Sequence, residues 1–366
     1  MNKLLLLGLL VVLGMGCEEK PQEKPMYTLF IGTYTNGDSE GIYSYQFDAD
    51  SGTLSNKSLE AKLPNPSFLA ISKDKQHLYA VQETADFDSL GGGVSAFKLK
   101  EGVLELQNSK GTGGANPCHV SLSGDGFLSV ANYSGGNVAL FHLNDDGSLG
   151  DNPQIIDHKV LDTTKTAHAH MTKFTKDGLF ATDLGLDALK RYVKQSNQWV
   201  PAHQASIDFP KGAGPRHFVF SENEAFLYVI NELNSTLTVL QRDDEGSYNP
   251  IQTENTLPSN YEGKNACADI HLSPDGQFLY GTNRGENTIV IFTVDPSSGT
   301  LNLVGRESVQ GNWPRNFSLD PTGNFLLVAN QLSNNIVVFK RDKETGSLTY
   351  LNEIKMPSPV CLTFLD

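Results

Sequence analysis

The chain has 366 residues, with 42 acidic side chains against 28 basic ones and a formal net charge of -14. That balance argues against a nucleic-acid partner and offers no basic face to an anionic membrane. No long helical periodicity appears, and aromatic and β-branched residues dominate the apolar segments, so the expectation is an all-β protein.

The chain opens with Lys3, an apolar run over 4–13 and then Gly14-Met15-Gly16-Cys17. That run is too short to span a bilayer and has the length of a signal-peptide core. Gly16 directly before Cys17 resembles a bacterial lipobox, although Gly14 and Met15 depart from its usual residues. Residues 1–17 are therefore expected to direct export, with Cys17 lipidated and serving as the sole link to a membrane. The expected location is the bacterial cell envelope, as a lipoprotein facing the periplasm or the surface. Residues 18–26, rich in charge and proline, read as a flexible tether.

From residue 27 onward one phrase recurs. Its clearest copy is GAGPRHFVFSENEAFLYVINE at 212–232, two apolar runs joined by a polar turn, which is the signature of an antiparallel hairpin. A looser copy starts at Asn65, and others start at Asn116, His168, Ala268 and Asn312. Anchored on the turn (Lys75, Gly126, Gly178, Glu224, Gly276, Gly323), successive copies lie 51, 52, 46, 52 and 47 residues apart. After each hairpin come a third apolar segment such as VALFHL or IVIFTV, usually an acidic glycine-bearing turn, and a fourth strand. Four antiparallel strands at this period match a propeller blade and are too long for a leucine-rich or ankyrin unit. Residues 27–54 carry a blade's later strands without the first, and residues 360–365 a first strand with nothing after it. The two ends are predicted to complete a shared blade, which removes unpaired sheet edges. The expected fold is a seven-bladed β-propeller over 27–366.

Antiparallel strands joined by a short turn return to their starting level. Residues before each first strand and after each second strand must therefore meet at one mouth of the central channel. They are Ser67 with Gln82 and Glu83; His119 with Asn132; His168 and His170 with Asp183; Arg216 and His217 with Glu232; Asp269 with Asn283 and Arg284; and Arg315 with Asn330. Any one of these can be a strand cap, but polar residues in every blade at this level point to a site. Cys118, Cys267 and Cys361 lie in or beside opening strands and are expected to be buried small hydrophobes.

The phrases NPCHV, AHAH, GPRH, YVINE, SPDGQFLYGTNRGENTI and WPRNFSLDPTGNFLLVAN, with LFIGTYT near the start, resemble the lactonase family of seven-bladed propellers. That family contains a class of 6-phosphogluconolactonase and a fungal enzyme that lactonizes carboxymuconate. The resemblance implies hydrolysis of a small anionic lactone at the channel mouth, with no cofactor and no metal. It places the family's catalytic histidine, arginines and glutamate on His168, Arg216, Arg284 and Glu232. In those roles Arg216 and Arg284 would hold an anionic group bidentately and polarise the lactone carbonyl. His168 is the expected general base, because a neutral imidazole can take a proton from the attacking water. Glu232 would fix the imidazole or an arginine, or handle a proton itself, and residue type leaves these open. His119, Asn132, His170, His217 and Arg315 are expected to bind substrate. An export signal fits poorly with a phosphorylated cytosolic intermediate, so the particular lactone stays open.

Other readings compete. His168-Ala-His170 would place two imidazoles on one strand face as metal ligands, yet calcium wants clustered oxygens and this mouth offers arginines. No glycine-rich loop leads from a strand into a helix, and no serine sits in a nucleophile-elbow phrase. The same fold also suits a cycloisomerase forming a lactone from a carboxymuconate-like dicarboxylate, or a non-catalytic cell-surface binding propeller. Oligomeric state is not legible in the residues.

Overall fold

The computed structural model describes residues 26–365, so the expected export signal, Cys17 and all but the last residue of the tether lie outside it. Met26 corrects the expected tether boundary: it begins a strand, Met26–Thr33, and lies opposite Asp48 on Gly41–Asp48.

The described residues form seven four-stranded antiparallel sheets. Blades 1 to 6 occupy 69–111, 117–157, 169–208, 215–255, 266–308 and 314–355. First strands of neighbouring blades touch one another around the axis, and the later strands follow outward in sequence order. Blade 7 takes its inner strand, Pro359–Leu365, from the C-terminal end and pairs it with Met26–Thr33, Leu29 opposite Phe364 and Ile31 opposite Leu362. The ring closes as the sequence predicts.

The inner hairpin turn has a repeated local cause. All six anchor residues have positive φ, from 57° at Glu224 to 131° at Gly178. Glycine takes that conformation without strain. Lys75 and Glu224 take it because side chains tie the turn down. Ser221 Oγ accepts from the Phe226 N–H at 2.9 Å and Asn223 Oδ1 from the Ala225 N–H at 3.0 Å. Ser72 and Asp74 repeat the arrangement in blade 1.

Blades are held to one another rather than to a common centre. Every junction between neighbours has its own apolar cluster, such as Phe278, Tyr280, Phe317, Leu326 and Phe339 between blades 5 and 6. Polar stitches repeat as well. Tyr79, Tyr228 and Tyr280 donate their hydroxyls to the carbonyls of Gly147, Gly299 and Gly346 in the next blade, at 2.7, 3.1 and 2.9 Å. A Cβ on Gly299 would lie 2.2 Å from the Phe226 ring, so this acidic turn docks on the preceding blade through its glycine. Cys118, Cys267 and Cys361 are buried free thiols.

Candidate active site

Six of the seven inner strands slip in register near the mouth, and in four of them the slip builds the site. In those four the register slips by one residue at the mouth end, between Pro117 and His119, Ala169 and Met171, Pro215 and His217, and Pro314 and Asn316. Such a bulge leaves the extra residue unpaired and re-aims its side chain. The residues so placed are Cys118, His170, Arg216 and Arg315. Cys118, Arg216 and Arg315 border one narrow throat on the axis, together with Ser67 and His217.

The chemical centre lies between blades 4 and 5. Glu232, one residue past the second strand Phe226–Asn231, places Oε2 2.9 Å from Arg216 Nε and 2.7 Å from Arg284 Nη2. The Arg216 Nε–H is not aimed at that oxygen, so this contact is ionic rather than a hydrogen bond. Burial by itself would raise the Glu232 carboxyl, but Arg284, Arg216 and Arg315 more than reverse that and hold it below the usual carboxylate range. Burial and the neighbouring Arg284 bring Arg216 down to about 10, still charged at neutral pH. Both guanidinium groups are anchored from behind. Arg216 Nη1 donates to the Ala268 carbonyl at 2.6 Å, and Arg284 donates from Nε to Ala266 at 3.2 Å and from Nη2 to Cys267 at 3.0 Å. Trp313 lies under Arg284, 5.3 Å from its guanidinium carbon. Among the described residues no hydrogen bond is made by the terminal nitrogens Nη2 of Arg216 and Nη1 of Arg284, nor by Arg216 Nε, which has only its ionic contact with Glu232.

His168 stands beside this centre rather than within it. Its Nδ1 is 3.0 Å from the Tyr133 carbonyl, which can only accept, so Nδ1 carries the proton and Nε2 presents its lone pair. The ring stacks on Tyr133 with centroids 4.5 Å apart, and its backbone N–H donates to Asp183 Oδ1 at 2.8 Å. Asp183 is itself held by His158, whose Nδ1 is 2.8 Å away in a fully buried pair. A groove of about 490 Å³, bordered by His168, Tyr133, Lys165, Asp187 and Leu233, opens next to the imidazole. Burial and then Glu232 raise the Tyr133 hydroxyl, which places that ring within the field of the Glu232 cluster.

Three further histidines, His119, His170 and His217, form the floor. His217 donates from Nδ1 to Asp269 Oδ1 at 2.7 Å, and Asp269 also accepts from His271, Asn316 and the Phe317 N–H. Burial and Arg216 bring His217 down to about 4. Burial, with His217 or Arg216 adding to it, holds His119 and His170 well below their ordinary value. His119 accepts the Thr172 N–H on Nδ1 at 3.5 Å and packs against Phe68, while His170 keeps an unpartnered buried Nδ1. His217 borders the throat, and the His119 and His170 rings pack on the His217 ring with centroids 5.7 and 5.2 Å away, a cluster of three neutral imidazoles.

Across the axis stands a second carboxylate. Tyr34 donates to Glu83 Oε2 at 2.9 Å, and Arg315 Nη2 lies 3.8 Å from the same oxygen with its guanidinium carbon 5.3 Å from the centre of the Tyr34 ring. Burial would lower Arg315, but Tyr34 and Glu83 outweigh it and raise its hold on its proton.

The structure therefore brings Arg216, Arg284, Glu232, Arg315, His217 and His170 to one mouth, with His119 in the floor and His168 at the rim. Asn132 does not reach them. Its amide accepts from Thr112 Oγ1 and donates to Asn137 Oδ1, at 2.7 and 2.6 Å, bracing blade 2 against blade 1. Asn283 makes the same brace to Thr256 in blade 5. His168 and His170 do not share a face, because the bulge intervenes, and among the described residues no three His, Cys, Asp or Glu converge as metal ligands. Tyr34, Tyr133 and Trp313 are site residues the sequence reading passed over. Each lies one residue beyond a strand end, so widening the mouth by one position would have found them. A groove of about 760 Å³ at the opposite end holds charges that already pair, Lys194 with Asp125 at 2.8 Å and Lys176 with Glu224 at 3.7 Å.

Known proteins share this fold. The family described as Lactonase, 7-bladed beta-propeller, matches residues 28–364. A 6-phosphogluconolactonase of Bacillus subtilis is 38% identical over 349 residues, 93% of this chain and 98% of the relative, and one of Formosa agariphila is 37% identical over 306 residues, 80% of this chain and 86% of the relative. The solved periplasmic gluconolactonase of Pseudomonas aeruginosa superposes with a TM-score of 0.87 at 36% identity, covering 93% of this chain and 99% of that one. The chain belongs to the lactonase family of seven-bladed β-propellers.

Proposed function

We propose that this protein hydrolyses a sugar-acid lactone to the free acid, the substrate being of the 6-phosphoglucono-1,5-lactone or glucono-1,5-lactone class. The observation that carries the reading is Glu232 locked between Arg216 and Arg284, each arginine keeping one terminal nitrogen unpartnered, beside an imidazole with an available Nε2. The names of the bacterial relatives support the substrate class.

In this reading the lactone carbonyl oxygen lies between Nη2 of Arg216 and Nη1 of Arg284. Donors fixed before the reaction stabilise the charge that develops on that oxygen. His168 Nε2 takes a proton from water as its oxygen bonds to the carbonyl carbon. The tetrahedral intermediate then collapses, the bond to the ring oxygen breaks, and His168 returns the proton to that oxygen. Glu232 acts as the clamp for both guanidinium groups. Its carboxyl, held below the usual range by three arginines, is too weak a base to compete with the imidazole. The test is acid release at constant pH from each lactone, corrected for spontaneous hydrolysis; no acceleration with either rejects the proposal.

Export belongs to the same proposal. A periplasmic gluconolactonase among the structural neighbours supports it, and residues 1–17 supply the signal, with Cys17 as the lipid-bearing residue. Incorporation of a labelled fatty acid that Cys17→Ser abolishes is the expected result, and equal labelling in that variant removes the anchor.

A further inference from the structure

The three arginines of the mouth differ in what their N–H groups already do. Arg216 gives one N–H to the Ala268 carbonyl, Arg284 gives two to the carbonyls of Ala266 and Cys267, and both press on Glu232. Arg315 makes no hydrogen bond to any described residue. Its nearest carboxylate oxygen, on Glu83, is 3.8 Å away, beyond hydrogen-bond reach. The Tyr34 ring, 5.3 Å from the guanidinium carbon, supports that group through its face, which uses no N–H. The Arg315 side chain is nevertheless only 16% exposed. A cation that has lost most of its water and kept five N–H donors unspent is set up for an anion. A second observation points the same way: the Ser67 hydroxyl is buried, has no partner, and borders the same throat as Arg315. The throat that Ser67 and Arg315 border is narrow, about 10 Å³; Glu83, 3.8 Å from Arg315 Nη2, also borders a neighbouring groove of about 770 Å³ that neither Arg315 nor Ser67 lines.

We propose that Arg315, assisted by the Ser67 hydroxyl, holds the anionic group of the substrate and thereby sets the preference for charged over neutral lactones. This rests on the lactonase reading and divides the mouth into two ends. Arg216 and Arg284 act on the carbonyl, and Arg315 reads a phosphate or carboxylate carried elsewhere on the molecule. Tyr34 and Glu83 are positioning residues for Arg315. Glu83 also competes with the incoming anion, as a like charge beside the same cation.

The experiment measures kcat/KM for 6-phosphogluconolactone and for gluconolactone, and inhibition by inorganic phosphate and by acetate, in wild type, Arg315→Gln, Arg315→Lys and Glu83→Gln. In Arg315→Gln the ratio of the two kcat/KM values, phosphorylated over unphosphorylated, should fall roughly 10- to 100-fold. Phosphate inhibition should weaken by a similar factor, and Arg315→Lys should recover part of both, since it keeps the charge and loses the fork. Stronger inhibition by acetate than by phosphate in wild type would assign the subsite to carboxylates. Glu83→Gln should tighten phosphate, whereas a merely structural Glu83 would loosen it. An unchanged ratio and unchanged inhibition by both anions in folded Arg315→Gln overturns the assignment. A thermal-shift titration with inorganic phosphate reads the subsite without turnover. Stabilisation present in wild type and lost in Arg315→Gln upholds the subsite even where neither lactone is hydrolysed, and that combination removes the lactonase reading alone.

Discussion

Two carboxylates face each other across this channel, and each has arginine for company, yet they have become different devices. Glu232 touches two guanidinium groups that are also bonded to backbone carbonyls. Glu83 holds a tyrosine hydroxyl at 2.9 Å and only stands near Arg315. The first is a frame whose two cations are tied to backbone carbonyls as well as to the carboxylate. The second leaves its cation unspent. In the proposed reading, equal residue types give a carbonyl-polarising end and an anion-reading end, according to how many N–H groups the surrounding backbone has already claimed.

The hardest way to break the comparison is through the chemistry of the Glu232 side. Arg216→Ala should lower kcat for lactone hydrolysis by about 10³-fold, and His168→Ala by about 10²- to 10⁴-fold, with folded content checked by circular dichroism. Wild-type rates in both would show the frame to be structural only. Next comes stability. Glu232→Gln leaves two buried cations facing each other and should cost about 3 kcal/mol or more, whereas Glu83→Gln weakens one hydrogen bond, from Tyr34, beside a cation 3.8 Å away and should cost about 1 kcal/mol. Equal shifts in melting temperature would erase the distinction between the two ends.

Acid tests the floor that joins them. His217 has a folded-state pKa of about 4, below the unfolded value near 6.5, so the unfolded chain takes up the proton first. Stability is therefore full above about pH 6.5 and falls as the pH drops toward 4, by about 3 kcal/mol from this group. His119 and His170 act in the same sense. Asp269, held well below its ordinary value because His271 and His217 outweigh its burial, adds a further loss below the usual carboxylate range. Melting temperature against pH at constant salt should show this fall, and a curve flat from pH 7 to 4 would mean that those imidazoles are not held neutral. The smallest effect belongs to Tyr34→Phe. Losing its bond to Glu83 should raise KM for a phosphorylated lactone roughly threefold, with less change for the neutral one.

Much of this was legible early. The hairpin anchors marked the blades because each turn needs a left-handed residue or a Ser and Asx pair to hold one, and both requirements are local. The same hairpins put His119, His170, Arg216, His217, Glu232, Arg284 and Arg315 at one level. Asn132 was misleading for a physical reason: a polar residue at that level serves equally well to tie one blade to the next, as its bonds to Thr112 and Asn137 show. The bulges that turn Arg216 and Arg315 toward the axis were not legible, since a one-residue slip leaves the apolar pattern of the strand almost unchanged.

The order of residues along the chain was thus enough for the seven-bladed ring, its closure by both ends and the family of the mouth, because strand alternation and turn chemistry act between near neighbours. Which arginine stays free was decided only in the folded ring. That depends on carbonyls from a strand some fifty positions away, Ala268 for Arg216, coming within bonding distance of one guanidinium and not of another.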